Sequence, residues 1–256
     1  MQDPHYFFSI EHEGLAVELW FNDILLDSDP EGKFKNRQFL NNLFILDGEN
    51  TLKLKISLPG TPPRKPESFN LKAGFHIVQE ESEELPDPIA ELKFPGNNVP
   101  SFPAEIQTTF TVQSPFGKWL WEDAQEIDVD DPQTTSATVS LISSLHKALI
   151  SQDLDKVTDI LSSKASETAR AYYIPSDDRL SDQRQFFQEI FNDSQFNMEP
   201  FKPESLRFTP MANNRLLFIE QKDGSSALES TELSEGYCFC LPVCLCKIDN
   251  EYIIIR

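Results

Sequence analysis

The chain has 256 residues and a mass of 29.3 kDa, and its 39% hydrophobic and 11% aromatic content is typical of a globular protein. Its 42 acidic and 22 basic side chains give a formal net charge of -20, which makes nucleic acid and anionic membranes unfavourable partners. No apolar run approaches the roughly 18 residues of a membrane span, and the first five residues contain no Lys or Arg to begin a secretory signal. We therefore expect a cytoplasmic protein that binds neither nucleic acid nor membranes.

The excess of acid is uneven along the chain. Residues 1–132 contain 24 acidic and 10 basic side chains, whereas residues 133–256 contain 18 and 12. Surface acid keeps a protein soluble, and it also attracts a cationic protein. On the second interpretation, the residues expected to contact a basic partner are Glu80, Glu81, Glu83, Glu84, Glu122, Asp123, Asp128, Asp130 and Asp131.

Residues 6–113 have the alternating pattern of half-buried β-strands. The clearest strand alternates Leu52, Leu54 and Ile56 with polar residues, and further strands are predicted at 69–78 and 105–113. Eleven of the 18 prolines lie in residues 59–132, where they prevent long helices. Many short strands separated by Pro and Gly turns predict an all-β sandwich or jelly roll over residues 1–125.

Two segments of this region carry a family resemblance. Residues 17–23 read Val-Glu-Leu-Trp-Phe-Asn-Asp, and after an apolar run residues 47–54 read Asp-Gly-Glu-Asn-Thr-Leu-Lys-Leu. This order of strand, turn and long strand resembles galactose-binding-like jelly rolls and covers less than a quarter of the chain. The resemblance implies the sandwich architecture, and carbohydrate binding is an alternative function for this half.

The composition changes between Trp119 and Pro132, where acidic residues follow two tryptophans. Trp119 and Trp121 either stack on a sugar or pack at a domain boundary. After this segment the apolar residues recur at helical spacing, with Thr135 or Ser136 as candidate N-caps of the first helix. Further helices are predicted after Asp153, over residues 165–173, and where Phe186, Phe187, Ile190 and Phe191 are expected on one face. We expect an acidic linker at residues 126–136 and a second domain at 137–256.

After Pro200 the apolar residues alternate with polar ones, which is typical of strands. The second domain is therefore predicted to have helices first and an antiparallel meander after them. The helix pair at 141–161 and the closing hairpin at 241–254 resemble nuclear-transport-factor-2-like (cystatin-like) domains over about 120 residues. The resemblance implies an α+β cone, with helices packed on a curved antiparallel sheet. In that family the pocket so enclosed is catalytic in some members and an interaction surface in others.

The four cysteines lie at 238, 240, 244 and 246. Four thiolates at this spacing could in principle bind zinc, but the geometry of a strand argues against it. On one continuous strand they would spread over roughly 26 Å, which exceeds the span of a tetrahedral site. We therefore predict buried core cysteines, while metal binding and redox chemistry remain open alternatives.

No nucleophile elbow, phosphate-binding glycine loop or zinc-protease motif occurs in the sequence. The candidates for a catalytic pocket in the C-terminal half are His146, Tyr172 and Asp177. The candidates for lining a ligand pocket there are Tyr172, Tyr173, Phe186 and Phe187.

These observations predict a non-enzymatic accessory protein of bacterial type that binds another protein, for example an acidic immunity-type inhibitor of a basic toxin. One alternative is small-molecule binding, or hydrolase or isomerase activity, in the C-terminal pocket. The other is carbohydrate binding by the N-terminal sandwich. We predict no metal and no cofactor.

Overall fold

The computed structural model describes residues 3–65, 67–79, 85–95 and 101–256. In these residues the chain forms 14 β-strands, paired antiparallel in four sheets, and four α-helices. The expectation of a β-rich N-terminal part followed by helices and a sheet is confirmed at that level. The chain divides into two compact units, Met1–Lys118 and Trp119–Arg256, within which the contacts are concentrated. The domain boundaries drawn from the sequence stay predictions.

The first unit contains two four-stranded sheets. Its strands are β1 (His5–Glu13), β2 (Ala16–Phe21), β3 (Ile24–Asp29), β4 (Lys35–Leu40), β5 (Gly48–Ser57), β6 (Asn70–Val78), β7 (Ala90–Phe94) and β8 (Ala104–Val112). The strand orders are β4-β1-β6-β7 and β3-β2-β5-β8. The alternation that predicted these strands also sets their faces: in β5, Leu52 and Leu54 are buried, whereas Lys53 and Lys55 are partly exposed.

Aromatic side chains join the two sheets of this unit. Phe8 of one sheet lies edge-on to Phe21 of the other, with 4.9 Å between ring centroids. Phe75 in β6 contacts both Phe21 and Phe110 of the opposite sheet, at 5.7 and 4.7 Å. The inner faces of the sheets therefore form one aromatic core.

The second unit begins with helices and ends with strands. The helices are α1 (Pro132–Ile150), α2 (Leu154–Ile160), α3 (Ser162–Ala171) and α4 (Ser176–Asn192). The strands are β9 (Leu206–Met211), β10 (Leu216–Gln221), β11 (Leu228–Glu232), β12 (Cys238–Leu241), β13 (Val243–Ile248) and β14 (Glu251–Ile254). Four of them form a sheet in the order β14-β13-β10-β9, and β11 pairs with β12. None of the helices in the described residues has the length and hydropathy needed to cross a membrane.

Helix α1 begins earlier than the sequence pattern indicated. Asp131 is its N-cap, with a side chain that accepts a hydrogen bond from the backbone N–H of Gln133, and Pro132 occupies the first helical position. The prediction of Thr135 or Ser136 as the cap is wrong. Proline fits the first helical position because the backbone N–H at that position has no partner within the helix, so its absence in proline costs no hydrogen bond.

The core of this unit lies between the helices and one face of the sheet. Leu145 and Leu149 of α1 pack with Phe187 of α4 and with Val243 and Leu245 of β13. These side chains recur at the spacing that buries one stripe of a helix and one face of a strand.

Phe186 departs from its prediction, because its side chain is 47% exposed whereas that of the next residue, Phe187, is 2% exposed. Consecutive helical residues point about 100° apart, so both cannot face the same core. The two rings still pack edge-on, with 5.4 Å between centroids.

Candidate functional site

Residues 123–131, which precede α1 and which we call the acidic segment, are fixed against one end of the sheet β14-β13-β10-β9. Gln125 forms an antiparallel bridge with Lys247 of β13, and the backbone N–H of Ile127 donates to the carbonyl oxygen of Asn214 at 2.7 Å. The side chain of Ile127 is buried. Gln125 Oε1 also accepts a hydrogen bond from the backbone N–H of Asn250, at 3.1 Å, in the turn between β13 and β14. The segment and this turn therefore lie side by side.

Six exposed acidic side chains come from the segment and the turn, and we call them the acidic surface: Asp123, Glu126, Asp128, Asp130, Asp249 and Glu251. None of the ion pairs found in the described part of the chain involves the last five of these. A guanidinium nitrogen of Arg215 lies nearby and donates to the backbone carbonyl of Glu122, at 3.1 Å. Five carboxylates that have no ionic partner among the described residues thus share one end of the sheet.

The predicted partner-binding residues fall into three groups. Glu80, Glu81, Glu83 and Glu84 lie outside the described residues. Asp123, Asp128 and Asp130 are exposed and belong to the acidic surface.

Glu122 and Asp131 are partly buried and have structural partners. Glu122 Oε1 accepts from the backbone N–H of Trp119, at 2.6 Å, within the 3-10 turn Leu120–Asp123, and Asp131 caps α1. Glu126, Asp249 and Glu251 are not among the predicted partner-binding residues, although Glu126 lies within the acidic stretch and Asp249 and Glu251 come from the turn between β13 and β14. The Asp-Asn pair of their turn was visible in the sequence, but its pairing with residue 125 was not.

The three candidate catalytic residues have separate environments. His146 is buried, with Nε2 2.9 Å from the carbonyl oxygen of Glu199, and Nε2 donates when it carries the proton. Tyr172 ends α3, and burial raises the pKa of its hydroxyl. Asp177 is exposed in the first turn of α4. No hydrogen bond or ion pair in the described residues joins these three side chains.

The four aromatic residues proposed to line a pocket do not share one environment. Phe187 belongs to the core, Phe186 is largely exposed, and Tyr172 and Tyr173 are half-buried after α3. Two cavities described in this unit, of about 400 and 500 Å³, are lined by other residues, such as Phe201 in the first and Arg184 in the second.

A buried charged cluster in the second unit was not predicted. Glu167 of α3 is almost fully buried, and its carboxylate lies 2.6 Å from Arg170 Nη2 and 3.7 Å from Arg256 Nη2. Burial raises the pKa of Glu167, while Arg256 and Arg170 lower it. Both guanidiniums also lie over the ring of Trp119, at 4.4 and 5.4 Å from its centroid. The Trp119 side chain is 1% exposed, so it offers no open face for a sugar.

Lys164 lies beside this cluster, and its Nζ donates to the carbonyl oxygen of Pro242 at 3.2 Å. Burial, helped by the positive charges of Arg256 and Arg179, lowers the pKa of Lys164 to about 8, although Cys244 opposes the shift. Strongly shifted pKa values occur in functional sites and in structural ion-pair networks alike. Here the described partners are protein groups, which favours a structural role.

The cysteines divide into two pairs at Pro242. Cys244 and Cys246 of β13 are buried, so the prediction of core cysteines is confirmed for them. Their burial is the main reason why the pKa of each thiol rises to about 12. Cys238 and Cys240 of β12 are exposed, and the core prediction is wrong for them. In the part of the chain that the structure describes, β12 pairs with β11 alone, whereas β13 lies between β10 and β14. Within the described residues, no group of three or more His, Cys, Asp or Glu side chains is placed to hold a metal ion.

The chain matches no protein-family model, no curated protein and no solved structure at a significant level. Its function is therefore argued from its own residues. The resemblances to galactose-binding-like and nuclear-transport-factor-2-like domains stay hypotheses.

Proposed function

We propose that this protein binds a basic partner protein through the acidic surface of its second unit. The observation that carries the proposal is the group of five exposed carboxylates that have no ion pair in the described residues and are held at one end of the sheet. Like charges at one site repel one another, and a cationic partner relieves that repulsion. Complementary charge also steers the approach and raises the association rate.

The distribution of charge between the units supports the second unit as the binding part. Residues 119–256 contain 24 acidic and 12 basic side chains, whereas residues 1–118 contain 18 and 10. A division at residue 132 assigns the stronger acidity to the first half, because residues 119–132 then count with it. In the structure this segment lies in the second unit, which then carries the larger net negative charge.

An immunity-type inhibitor is the class of protein that this surface fits best. Nucleic-acid-cutting toxins bind phosphate, so their working surfaces are basic, and an acidic protein blocks them by covering that surface. Such a function requires a stable surface of fixed shape and no catalytic group. The backbone hydrogen bonds of the acidic segment supply that fixed shape.

The fold hypotheses belong to the same proposal. Two face-to-face sheets in the first unit support a sandwich of the jelly-roll kind, and helices followed by an antiparallel sheet in the second support a cone of the nuclear-transport-factor-2-like kind, although the sheet pairs β10 with β13 and so is not the simple meander expected. Both architectures are reused as binding scaffolds, so neither one defines the partner.

Affinity capture tests this proposal. The full chain, immobilised, is incubated with extract of its native host, and bound proteins are eluted at low and then at high salt. We expect a stoichiometric basic protein that is retained at low salt and released as salt rises, because salt screens the attraction between exposed charges. The absence of any partner, or a partner whose affinity does not depend on salt, would contradict the proposal.

A further inference from the structure

The exposed cysteines lie on one face of a short strand. In β12, Phe239 and Leu241 are buried, whereas Cys238 and Cys240 are exposed. Alternate residues of a strand point to the same face, and their Cα atoms are about 6.5–7 Å apart. Two thiols at this spacing are near enough for one small ion to bridge their sulfur atoms.

The neighbouring strand places a glutamate opposite each of the two cysteines. The register of β11 against β12 pairs Glu229 with Cys240 and Glu232 with Cys238. The thiol of Cys240 donates to Glu229 Oε1, with Sγ and Oε1 3.4 Å apart. Glu229 is therefore an adjacent proton acceptor, and its carboxylate attracts cations to this position.

The pKa of the Cys240 thiol is raised, first by desolvation and then by Glu229. A metal that takes this thiol as a ligand must displace its proton, and affinity for the metal therefore increases with pH.

We propose that Cys238 and Cys240 form a two-thiolate binding site for Cu(I). Soft thiolate ligands select Cu(I), and this ion is satisfied by two sulfur ligands in a linear arrangement. Structural Zn²⁺ requires four ligands in a tetrahedron, and although Glu229 lies beside Cys240, no group of three or more His, Cys, Asp or Glu side chains in the described residues is placed to hold a metal ion. The pair therefore fits a two-coordinate soft ion better than zinc.

The binding step is balanced without any redox change. Two Cu–S bonds form, two S–H bonds break and two protons leave. Glu229 accepts the proton of Cys240 and passes it to water, while the proton of Cys238 goes to water directly. Copper stays Cu(I), and the two thiolates give the complex one negative charge.

The buried pair on β13 supplies a matched control within the same chain. Cys244 and Cys246 have the same spacing, but both are buried. The test variant is Cys238→Ser with Cys240→Ser, at exposed positions where Ser is tolerated. The control variant is Cys244→Ala with Cys246→Ala, and the single variant Cys246→Ala replaces it if the double variant does not fold.

The experiment titrates the full chain with Cu(I) under anaerobic reducing conditions, in competition with the chelator bathocuproine disulfonate. We expect one Cu(I) per chain, a thiolate-to-copper absorption band in the ultraviolet, and at least a tenfold loss of affinity in the test variant. The control variant should bind Cu(I) as the unsubstituted protein does. Before titration, a thiol reagent should modify two cysteines in the native state and four after unfolding.

Two results would overturn the assignment. One is Cu(I) binding that is unchanged in the test variant, and the other is failure of the thiol reagent to reach Cys238 and Cys240 in the native state. Either outcome leaves the acidic surface untouched, because that surface is built from other elements.

Discussion

At the scale of single residues, His12 is a buried titratable group of the first unit. Its side chain is 1% exposed, and neither ring nitrogen has a hydrogen-bond partner among the described residues. Nε2 lies 3.6 Å from Asp29 Oδ2, beyond hydrogen-bond distance. Burial lowers the pKa of His12, and Lys35 lowers it further, whereas Asp29 and Asp27 raise it. The folded protein therefore favours the neutral imidazole.

This burial predicts a loss of stability in mild acid. The pKa of His12 is lower in the folded state than the ordinary 6.5, so below that pH the unfolded chain binds the additional proton. The contribution of neutral His12 to the free energy of unfolding is present above pH 6.5 and is lost as the pH falls toward the pKa of His12 in the folded state. Over that range the free energy of unfolding falls by at most about 1.4 kcal/mol per pH unit. His12→Leu should flatten this slope in denaturant unfolding measured over the acidic range. An unchanged slope in the variant would contradict the assignment.

At the scale of elements, the N-cap of α1 makes a specific energetic prediction. Asp131 accepts the hydrogen bond from the Gln133 N–H that no helical carbonyl can accept. Asp131→Ala should lower the free energy of unfolding by about 1 kcal/mol, as measured by denaturant unfolding. Asp130→Ala removes the same charge at the preceding residue without removing the cap bond, and it should cost less. Equal losses in the two variants would show that charge, and not capping, stabilises the start of this helix.

Period-two patterns predicted the strands well where one face of a sheet is buried. Leu52, Leu54 and Ile56 of β5 are buried as their alternation requires. Prediction failed where local signals have two meanings. Pro132 is expected within the linker at 126–136 but begins a helix, and the residues on either side of Pro242 are expected in one continuous strand but belong to two strands of different sheets.

The candidate site was predicted only in part, because its parts meet through long-range pairing. The acidic segment was visible in the sequence as a run of carboxylates. Its contact with the turn at Asp249 depends on the bridge between Gln125 and Lys247, residues more than 120 positions apart. No local pattern encodes that contact. The same reason explains why the ion pair between Glu167 and Arg256 was missed.

At the scale of the whole molecule, net charge and its placement have different consequences. A formal net charge of -20 favours solubility wherever the carboxylates lie. Partner binding requires them to be concentrated and exposed, as they are on the acidic surface. These two roles are separated by variants that change the net charge equally but at different places.

One pair of variants tests the central claim most directly. Glu126→Gln, Asp130→Asn and Glu251→Gln together remove three charges from the acidic surface, while Asp159→Asn, Asp182→Asn and Glu204→Gln remove three exposed charges elsewhere in the second unit. The measurement is the Kd of each triple variant for the purified basic partner at low salt. We predict at least a tenfold weaker Kd and a smaller salt dependence for the first variant, with no more than a twofold change for the second. Equal effects of the two variants would mean that total charge, and not the acidic surface, governs binding, and would contradict the account.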